Sequence, residues 1–360
     1  MTSSTPKRLR ILLTNDDGPP SGVSGHSPFV YPFARALVDA GHDVRVVVPN
    51  AQRSWVGKAY LVAEKCTGQY LYVPRDSEDG TGGELRDLPR EREEGEMEWI
   101  LLHGTPATCA SIALHNLFAP NSFDLVISGP NFGRNTSTAF AMSSGTVGAA
   151  MAAALSGSNA VALSWGLMEG YKPPPPEFLT AASALSYEIV KRLYEVGWGE
   201  GEDRVDVYTV NVPLLPSIVE APEVRWTSMA KTAYGRLFKS TPHPESANAS
   251  ASASAEINKG GPAAVAAPAS DEASGERPQG NGTSHEQDLA VKDEHRTERL
   301  HFVFAPDIGA LINPRLEDLV EGTDKHAIHT GAVSVTPIRA AFMEARAPAG
   351  IPADGVKWRL

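Results

Sequence analysis

Residues 10–22, RILLTNDDGPPSG, decide the fold class, because an apolar run ends there directly in polar residues. The run at residues 10–14 has the length and the Ile/Leu content of a buried β-strand. The sequence Asn-Asp-Asp-Gly, residues 15–18, follows it without a transition. Ligands of open parallel sheets bind outside the carboxyl ends of the strands, so this stretch predicts a binding edge directly after the first strand.

Strand-like and helix-like segments continue to alternate as far as about Pro213. Short Val-, Ile- and Leu-rich runs such as DVRVVVP (43–49) and FDLVISG (123–129) alternate with helical patterns such as FVYPFARALVDAG (29–41) and GTVGAAMAAALSG (145–157). This alternation is typical of a mostly parallel sheet that is covered by helices on both faces. We therefore expect a doubly wound α/β fold, and a single domain over residues 1–360.

Composition restricts the class of protein. The chain has 360 residues, 42% of them hydrophobic, and a net charge of -11, which argues against an extended nucleic-acid-binding surface. Cys66 and Cys109 are too few for a disulfide framework, so we expect free thiols in a reducing compartment. The N-terminus has no signal-peptide pattern, and no run of about 18 apolar residues occurs. These features predict a cytoplasmic protein with no membrane segment.

Two polar stretches interrupt the alternating pattern. Residues 242–295 are rich in Ala, Ser, Gly, Pro and Glu, and such a composition predicts a disordered, low-complexity segment. The strand-like sequence RLHFVFAPD (299–307) follows it, so we interpret the segment as an insertion within the domain. The charged residues 75–98 are expected to form an exposed loop or the end of a hairpin.

The adjacent carboxylates of Asp16 and Asp17 are the first candidate site. Two neighbouring negative charges repel each other, and a divalent cation with hard oxygen ligands would offset that repulsion. The alternative is a solvated Asx turn in which Gly18 supplies a positive φ. Their place at the end of a strand leaves both interpretations open.

Further oxygen donors follow the other predicted strands. Ser54 comes after the second strand and offers a hydroxyl oxygen to the same cation, and the neighbouring Arg53 is suited to an anionic group. Asn131 and Asn135 lie in a glycine-containing loop after a later strand, where an amide oxygen is a suitable hard ligand. The alternative interpretations are an ordinary loop serine and a mobile glycine loop.

Ser144, Gly145 and Thr146 precede the Ala-rich helical segment. The unpaired N–H groups of a helix N-terminus attract anions, so these residues are candidates for binding a phosphate group. Capping of the helix by Ser144 or Thr146 is the alternative, and it is compatible with anion binding. Neither a Walker A sequence nor a GxGxxG opening is present, which argues against nucleoside triphosphate hydrolysis and dinucleotide redox chemistry.

Several motifs together resemble the SurE family of survival proteins. Five motifs occur in the family's order between residues 11 and 337: ILLTNDDG, GTPATC, SGPNFGRN, SGTVGAAM and GTD…GAVSVTP. The resemblance implies a Rossmann-like α/β domain. It also implies a divalent-metal-dependent phosphatase, acting on nucleoside 5′- and 3′-monophosphates and more loosely on other phosphomonoesters. A homodimer or higher homo-oligomer is the expected assembly.

The same resemblance assigns roles to individual residues. Mg²⁺ or Mn²⁺ would be bound by Asp16, Asp17, Ser54 and Asn131, with the two aspartates also expected to be catalytic. The predicted phosphate-binding residues are Asn15, Asn135, Ser144, Gly145 and Thr146. The chain departs from the family pattern at Trp55, where Gly is common, at Thr108, where Asp is usual, and in a longer loop after Gly18.

Two other functions stay open at this point. One is a nucleotide- or metal-binding module without turnover, and the other is an interaction protein whose insertion binds partners. The remaining candidate side chains, four histidines and Asp324, support neither of these two functions. His26, His103, His326 and His329 lie in no metal-binding spacing and are interpreted as loop or core residues, and Asp324 is interpreted as structural.

Overall fold

The computed structural model describes residues 7–20, 27–168, 174–220, 222–241 and 300–342. The predicted low-complexity insertion at residues 242–295 therefore lies outside the described residues. Part of the long loop after Gly18, including His26, also lies outside them.

Six parallel strands form the centre of a ten-stranded sheet. In spatial order they are β5 (Glu96–Leu102), β2 (Asp43–Pro49), β1 (Arg10–Thr14), β6 (Leu125–Phe132), β7 (Ala160–Leu167) and β8 (Val207–Leu214). The chain runs from β1 to its neighbour β2 on one side and later to β6 on the other side. The strand order therefore reverses at β1, and a ligand crevice is expected between the carboxyl ends of β1 and β6.

Shorter and antiparallel strands complete the structure. β3 (Gly68–Pro74) pairs antiparallel with β5, and β4 (Glu84–Arg86) pairs antiparallel with β3, so the exposed stretch at residues 75–98 includes a hairpin strand. At the other end β12 (Val333–Ile338) runs antiparallel to β8, with β9 (Val224–Trp226) outside it. β10 (Phe238–Ser240) and β11 (Phe302–Phe304) form a separate antiparallel ribbon.

Helices cover both faces of the sheet, as the alternating sequence predicts. α1 (Val30–Asp39) and α5 (Pro176–Val196) pack on one face, and α2 (Pro106–Ile112) and α4 (Gly145–Leu155) pack on the other. The predicted doubly wound α/β fold is confirmed. The shorter helices are α3 (Ser137–Ser143), α6 (Ser217–Glu220), α7 (Gly309–Ile312) and α8 (Asp324–His329).

The side chains of β1 show how the strand links these two layers. Successive side chains of a strand point to opposite faces. Ile11 and Leu13 join the apolar cluster that includes α1 and α5, whereas Leu12 joins the cluster that includes α2 and α4. Because β1 is covered on both sides, its sequence is continuously apolar up to the polar residues at its carboxyl end.

Three of the motifs noted in the sequence are helix starts. In GTPATC, the Thr105 hydroxyl caps α2 by accepting the Thr108 N–H at 3.1 Å. In GTD, Thr323 caps α8 by accepting the His326 N–H at 3.3 Å. Ser144 does the same for α4. Side-chain caps satisfy N–H groups that have no partner inside the helix, so these motifs define where the helices begin.

Within the described ranges, no single helix has the length and apolar character needed to cross a membrane. α3 and α4 reach that length only as a pair, and the chain bends by 70° between them.

Replacement of Trp165 tests the packing of α1 and α5 on the sheet. Its ring is fully buried, lies 5.1 Å from the Phe29 ring, and donates its indole N–H to Ser186 Oγ at 3.0 Å. We expect Trp165→Ala to lower the free energy of unfolding by about 3–5 kcal/mol, through the cavity it leaves. Urea unfolding followed by far-UV circular dichroism measures the change.

Trp226→Ala is the matched control, because the Trp226 side chain is 60% exposed. Its expected effect is below about 1 kcal/mol. Equal losses in the two variants would contradict this description of the core.

Candidate active site

A cavity of about 650 Å³ opens at the carboxyl ends of β1, β2 and β6. This volume lies within the usual range for small-molecule sites. Among the residues predicted from the sequence, the lining contains Asp16, Ser54, Asn131, Asn135 and Ser144. Side chains from three strand ends and one helix start therefore meet at the predicted edge of the sheet.

Asp16 lies against the N-terminus of α4. Its Oδ1 accepts a hydrogen bond from the Thr146 hydroxyl, and the backbone N–H groups of Gly145 and Thr146 also bond to the carboxylate. Burial raises the pKa of Asp16 above its ordinary value, while these hydrogen bonds favour the ionised form and oppose the rise. The helix terminus thus holds the carboxylate in one orientation at the cavity.

The absence of a side chain at Gly145 makes this contact possible. A Cβ atom at this position would lie 2.7 Å from Asp16 Cβ and 2.9 Å from Asp16 Oδ2. Atoms at such distances overlap, so any larger residue would separate the helix from the strand end. Gly145 and Thr146 themselves do not line the cavity, and binding of phosphate by them stays a prediction.

Asp17 is buried and differs from Asp16 in its contacts. Its Oδ2 accepts the backbone N–H of Phe132 at 2.6 Å, and the Gln52 side chain also bonds to it. Burial, followed by the negative charge of Asp16, raises the pKa of Asp17 well above its ordinary value. Asp17 therefore ties the end of β6 to the end of β1, and it is not among the residues that line the cavity.

Asn15 closes the turn that follows β1. Its Nδ2 donates to the Gly18 carbonyl at 2.7 Å, and its Oδ1 accepts the Gly18 N–H at 3.1 Å. Gly18 has a φ of +89°, which favours glycine. The Asx turn considered from the sequence therefore exists, with Asn15 as its side chain, and it leaves Asp16 at the cavity. Asn15 is fully buried and does not line the cavity.

Asn131 and Asn135 both line the cavity with 8% of their surface exposed. The Asn131 amide nitrogen donates to the Gly133 carbonyl at 2.8 Å, which leaves its Oδ1 as the atom suited to a cation. The Asn135 amide nitrogen donates to Ser164 Oγ at 2.9 Å. The Asn135 backbone N–H donates to Asn211 Oδ1 at 2.7 Å. Bonds to β7 and β8 thus hold Asn135 in place, whereas Asn131 is held by its own loop.

Ser54 and Trp55 belong to the loop after β2, which packs on the junction of α3 and α4. The Gly57 N–H donates to the Ser143 carbonyl at 2.9 Å, and this bond brings Ser54 to the cavity. Trp55 has a φ of +65°, in the left-handed region that disfavours a bulky side chain. This backbone conformation accounts for glycine in the family pattern. The Trp55 ring lines the cavity and lies 5.2 Å from the Phe304 ring.

Ser144 acts as the cap of α4. Its Oγ accepts the Val147 N–H at 3.1 Å, and the residue also lines the cavity. Capping and a place at the cavity are thus compatible, as the sequence suggested.

The donor chemistry of the acidic site fits a divalent cation. In the part of the chain that the structure describes, no lysine or arginine forms an ion pair with Asp16 or Asp17. No group of three or more His, Cys, Asp or Glu side chains suited to a metal occurs among the described residues. A cation here would therefore depend on hydroxyl and amide oxygens in addition to carboxylates, and Ser54 and Asn131 supply them. Hard oxygen donors of this kind suit Mg²⁺ or Mn²⁺.

The cavity contains functional candidates that sequence reasoning missed. Arg134, Arg236 and Lys239 contribute cationic groups, and Phe140 and Asp307 also line the space. Arg134 lies inside the SGPNFGRN motif, so its position next to Asn135 was the one available signal. The others come from α3, from the β10–β11 ribbon and from the segments around that ribbon, where no pattern pointed to the cavity.

Asp324 does not line the cavity, but it fixes the backbone where α3 begins. Its carboxylate accepts the backbone N–H of Ser137 at 2.8 Å and that of Ala230 at 2.9 Å. These bonds position the start of α3 and agree with the structural role expected from the sequence. His103, His326 and His329 do not line the cavity.

A family model for the survival protein SurE matches residues 11–236. The chain belongs to the SurE family. The membership predicted from the motifs is thereby confirmed.

Two SurE relatives are named 5′-nucleotidases. The chain is 33% identical over 213 residues to 5′-nucleotidase SurE of Methanocella arvoryzae, covering 57% of this chain and 66% of that protein. It is 30% identical over 232 residues to 5′-nucleotidase SurE of Desulfitobacterium hafniense, covering 64% of this chain and 74% of that protein.

A yeast relative and a solved structure extend over more of the chain. The chain is 32% identical over 356 residues to a Saccharomyces cerevisiae protein named probable tubulin–tyrosine ligase PBY1, covering 93% of this chain but only 41% of that protein. The chain is also similar to the crystal structure of SurE from Aquifex aeolicus, with a TM-score of 0.55, 20% identity and coverage of 93% and 94% of the two chains. At this identity the SurE structure supports the fold alone.

Gly145→Ala tests the close approach of α4 to Asp16. We expect the variant to lose about 1–3 kcal/mol in free energy of unfolding, because the new methyl group overlaps the Asp16 side chain. Gly309→Ala is a matched control: each glycine is the first residue of its helix, and a Cβ at Gly309 would meet nothing within 4 Å. Thermal and urea unfolding measure both variants, and a loss of the same size at Gly309 would argue against the contact.

Proposed function

We propose that this SurE-family chain is a divalent-metal-dependent phosphomonoester hydrolase that acts on nucleoside 5′- and 3′-monophosphates. The observation that carries the proposal is the buried acidic pair at the end of β1. Asp16 faces a cavity together with Ser54 and Asn131, and neither carboxylate forms an ion pair with a described cationic side chain. The names of the SurE relatives support the same reaction class.

The cation, Mg²⁺ or Mn²⁺, would be held by Asp16, Asp17, Ser54 and Asn131. When bound, the cation supplies Lewis-acid polarisation of a phosphoryl oxygen and lowers the pKa of a bound water. Asp17 would bind the cation through its other oxygen, because its Oδ2 is already bonded to the Phe132 N–H.

The protein's own groups orient the reactants. The N-terminus of α4 fixes the Asp16 carboxylate, and either Asp16 or Asp17 would accept a proton in the reaction. Asn135 and the Ser144 hydroxyl line the cavity and are the candidates for hydrogen bonding to the phosphate oxygens, where charge is greatest in phosphoryl transfer. Trp55 and Phe140 provide aromatic surface in the same cavity, suited to stacking on a nucleobase.

The alternative function is a nucleotide- or metal-binding module that does not hydrolyse its ligand. The expected cytoplasmic location and the expected homo-oligomer belong to the same proposal and stay predictions.

Substitution of Asp16 tests the proposal. Phosphate release from nucleoside monophosphates and p-nitrophenyl phosphate is measured with Mg²⁺, with Mn²⁺ and with EDTA. We expect metal-dependent release by the wild type, abolished by EDTA, and a loss of at least about 100-fold in kcat for Asp16→Asn. Asparagine keeps one acceptor for the Thr146 hydroxyl, and an unchanged far-UV circular dichroism spectrum is required before the kcat values are compared. Calorimetric titration with Mn²⁺ is expected to show weaker binding by the same variant.

Asp203→Asn is the control, since Asp203 is an exposed carboxylate that does not line the cavity. It should retain kcat within about two-fold, as expected for a surface charge change. Full activity of Asp16→Asn would contradict the role of the acidic pair, and the absence of release from every substrate with every cation would favour the binding module.

A further inference from the structure

Arg134 is a cation without an acidic partner in the cavity wall. It follows Gly133 at the end of β6, and its guanidinium donates to the Ile312 carbonyl and to Met168 Sδ at 3.2 Å. No carboxylate pairs with it among the residues that the structure describes. Burial lowers the pKa of Arg134 to about 10, so the group is still charged at neutral pH.

The groups behind Arg134 do not neutralise it. Lys325 is 5% exposed, and burial together with the charge of Arg134 lowers its pKa. The pKa of His329 is lowered to about 4, chiefly by burial, so that side chain is neutral at neutral pH. The carboxylate of Asp324 bonds to three backbone N–H groups and is next to Lys325 in the chain. The positive charge of Arg134 is therefore available to the cavity.

Two further cations reach the same cavity from a different part of the chain. Arg236 precedes β10 and Lys239 lies within it, and both are exposed cavity-lining residues without an ion pair in the described ranges. Asp307 is the acidic residue on that wall. Three cationic side chains facing one space stand out in a chain with a net charge of -11. They create a positive region distinct from the acidic residues at the end of β1.

An unpaired charge with restricted access to water is costly for a folded protein. Such a group is retained where a ligand supplies the opposite charge, and arginine is suited to phosphate because its planar fork donates two parallel hydrogen bonds. The cavity volume of about 650 Å³ leaves room for more than one phosphate group. Aromatic rings at Trp55 and Phe140 line the same space, so a nucleotide matches its combined chemistry.

We propose that Arg134, Arg236 and Lys239 form a second anion-binding subsite, which takes a second phosphate group on a nucleotide substrate. The inference rests on the proposed function for the identity of the phosphate that is cleaved at the acidic site. A nucleoside 3′,5′-bisphosphate is the simplest ligand with this chemistry, because one phosphate can bind at the acidic site through the cation proposed there while the other contacts Arg134.

Equilibrium binding tests the subsite without depending on turnover. Calorimetric titrations of the full chain in Ca²⁺, which supplies a divalent cation to the acidic site, compare adenosine 3′,5′-bisphosphate with adenosine 5′-monophosphate and adenosine 3′-monophosphate. Phosphate release is followed in the same samples, so that only intact ligand is counted. We expect the bisphosphate to bind about ten-fold or more tightly than either monophosphate, as an added charge-assisted contact would give. Arg134→Gln should reduce that ratio to about two or less and leave monophosphate binding within about three-fold. The double variant Arg236→Gln, Lys239→Gln should reduce the ratio in the same direction.

Arg75→Gln is the charge-matched control, because Arg75 pairs with Asp39 away from the cavity. It removes one positive charge and should leave the binding ratio unchanged. Equal weakening of monophosphate and bisphosphate binding by Arg134→Gln would overturn the proposal, since the arginine would then bind the phosphate that both share. Equal affinity of the wild type for the three nucleotides would overturn it too. Failure of the proposed hydrolysis is seen separately, as an absence of phosphate release with metal present.

Discussion

The contact between the Asp16 carboxylate and the N-terminus of α4 is the constraint on which the site depends. It joins the first strand to a helix that begins about 130 residues later, at the point where the strand order reverses. A buried carboxylate is stable there because a hydroxyl and two backbone N–H groups bond to it, and because the helix terminus carries partial positive charge. Gly145 permits the approach, since it has no Cβ atom to overlap Asp16. Ser54, Asn131 and Asn135 are all positioned around this junction.

The cavity combines two regions of opposite, incompletely compensated charge. The acidic region has two adjacent buried carboxylates, and the basic region has Arg134 in a desolvated wall. Interactions between charges are stronger in such surroundings than in water, so each region favours binding of a counter-charge. A cation at the first and an anionic group at the second are complementary requirements of one phosphorylated ligand.

Much of the fold and part of the site followed from local sequence pattern. The apolar run of β1, the alternating elements after it and the polar residues at the strand ends predicted both the parallel sheet and the edge where Asp16, Ser54 and Asn131 meet. The sequence pattern did not predict in which direction each side chain at that edge points. Asn15 was expected to bind phosphate but bonds to Gly18, and Asp17 bonds to Phe132, because neighbouring residues in a turn point in different directions.

The sequence by itself determined the α/β class, the start of α4 and the strand ends that carry chemistry, because hydrophobic period, capping residues and chain order are local properties. Tertiary structure alone decided which of those groups face the cavity and what completes its wall. β10 and β11 are exposed strands of three residues each, and they lie on either side of residues 242–299. The sequence predicted a strand at residues 299–307, where β11 lies, but neither its pairing with β10 nor its place at the cavity followed from that pattern. Arg134, Arg236 and Lys239 become one positive region only when packing brings these distant segments to β6, since charge complementarity depends on proximity in space rather than on distance along the chain.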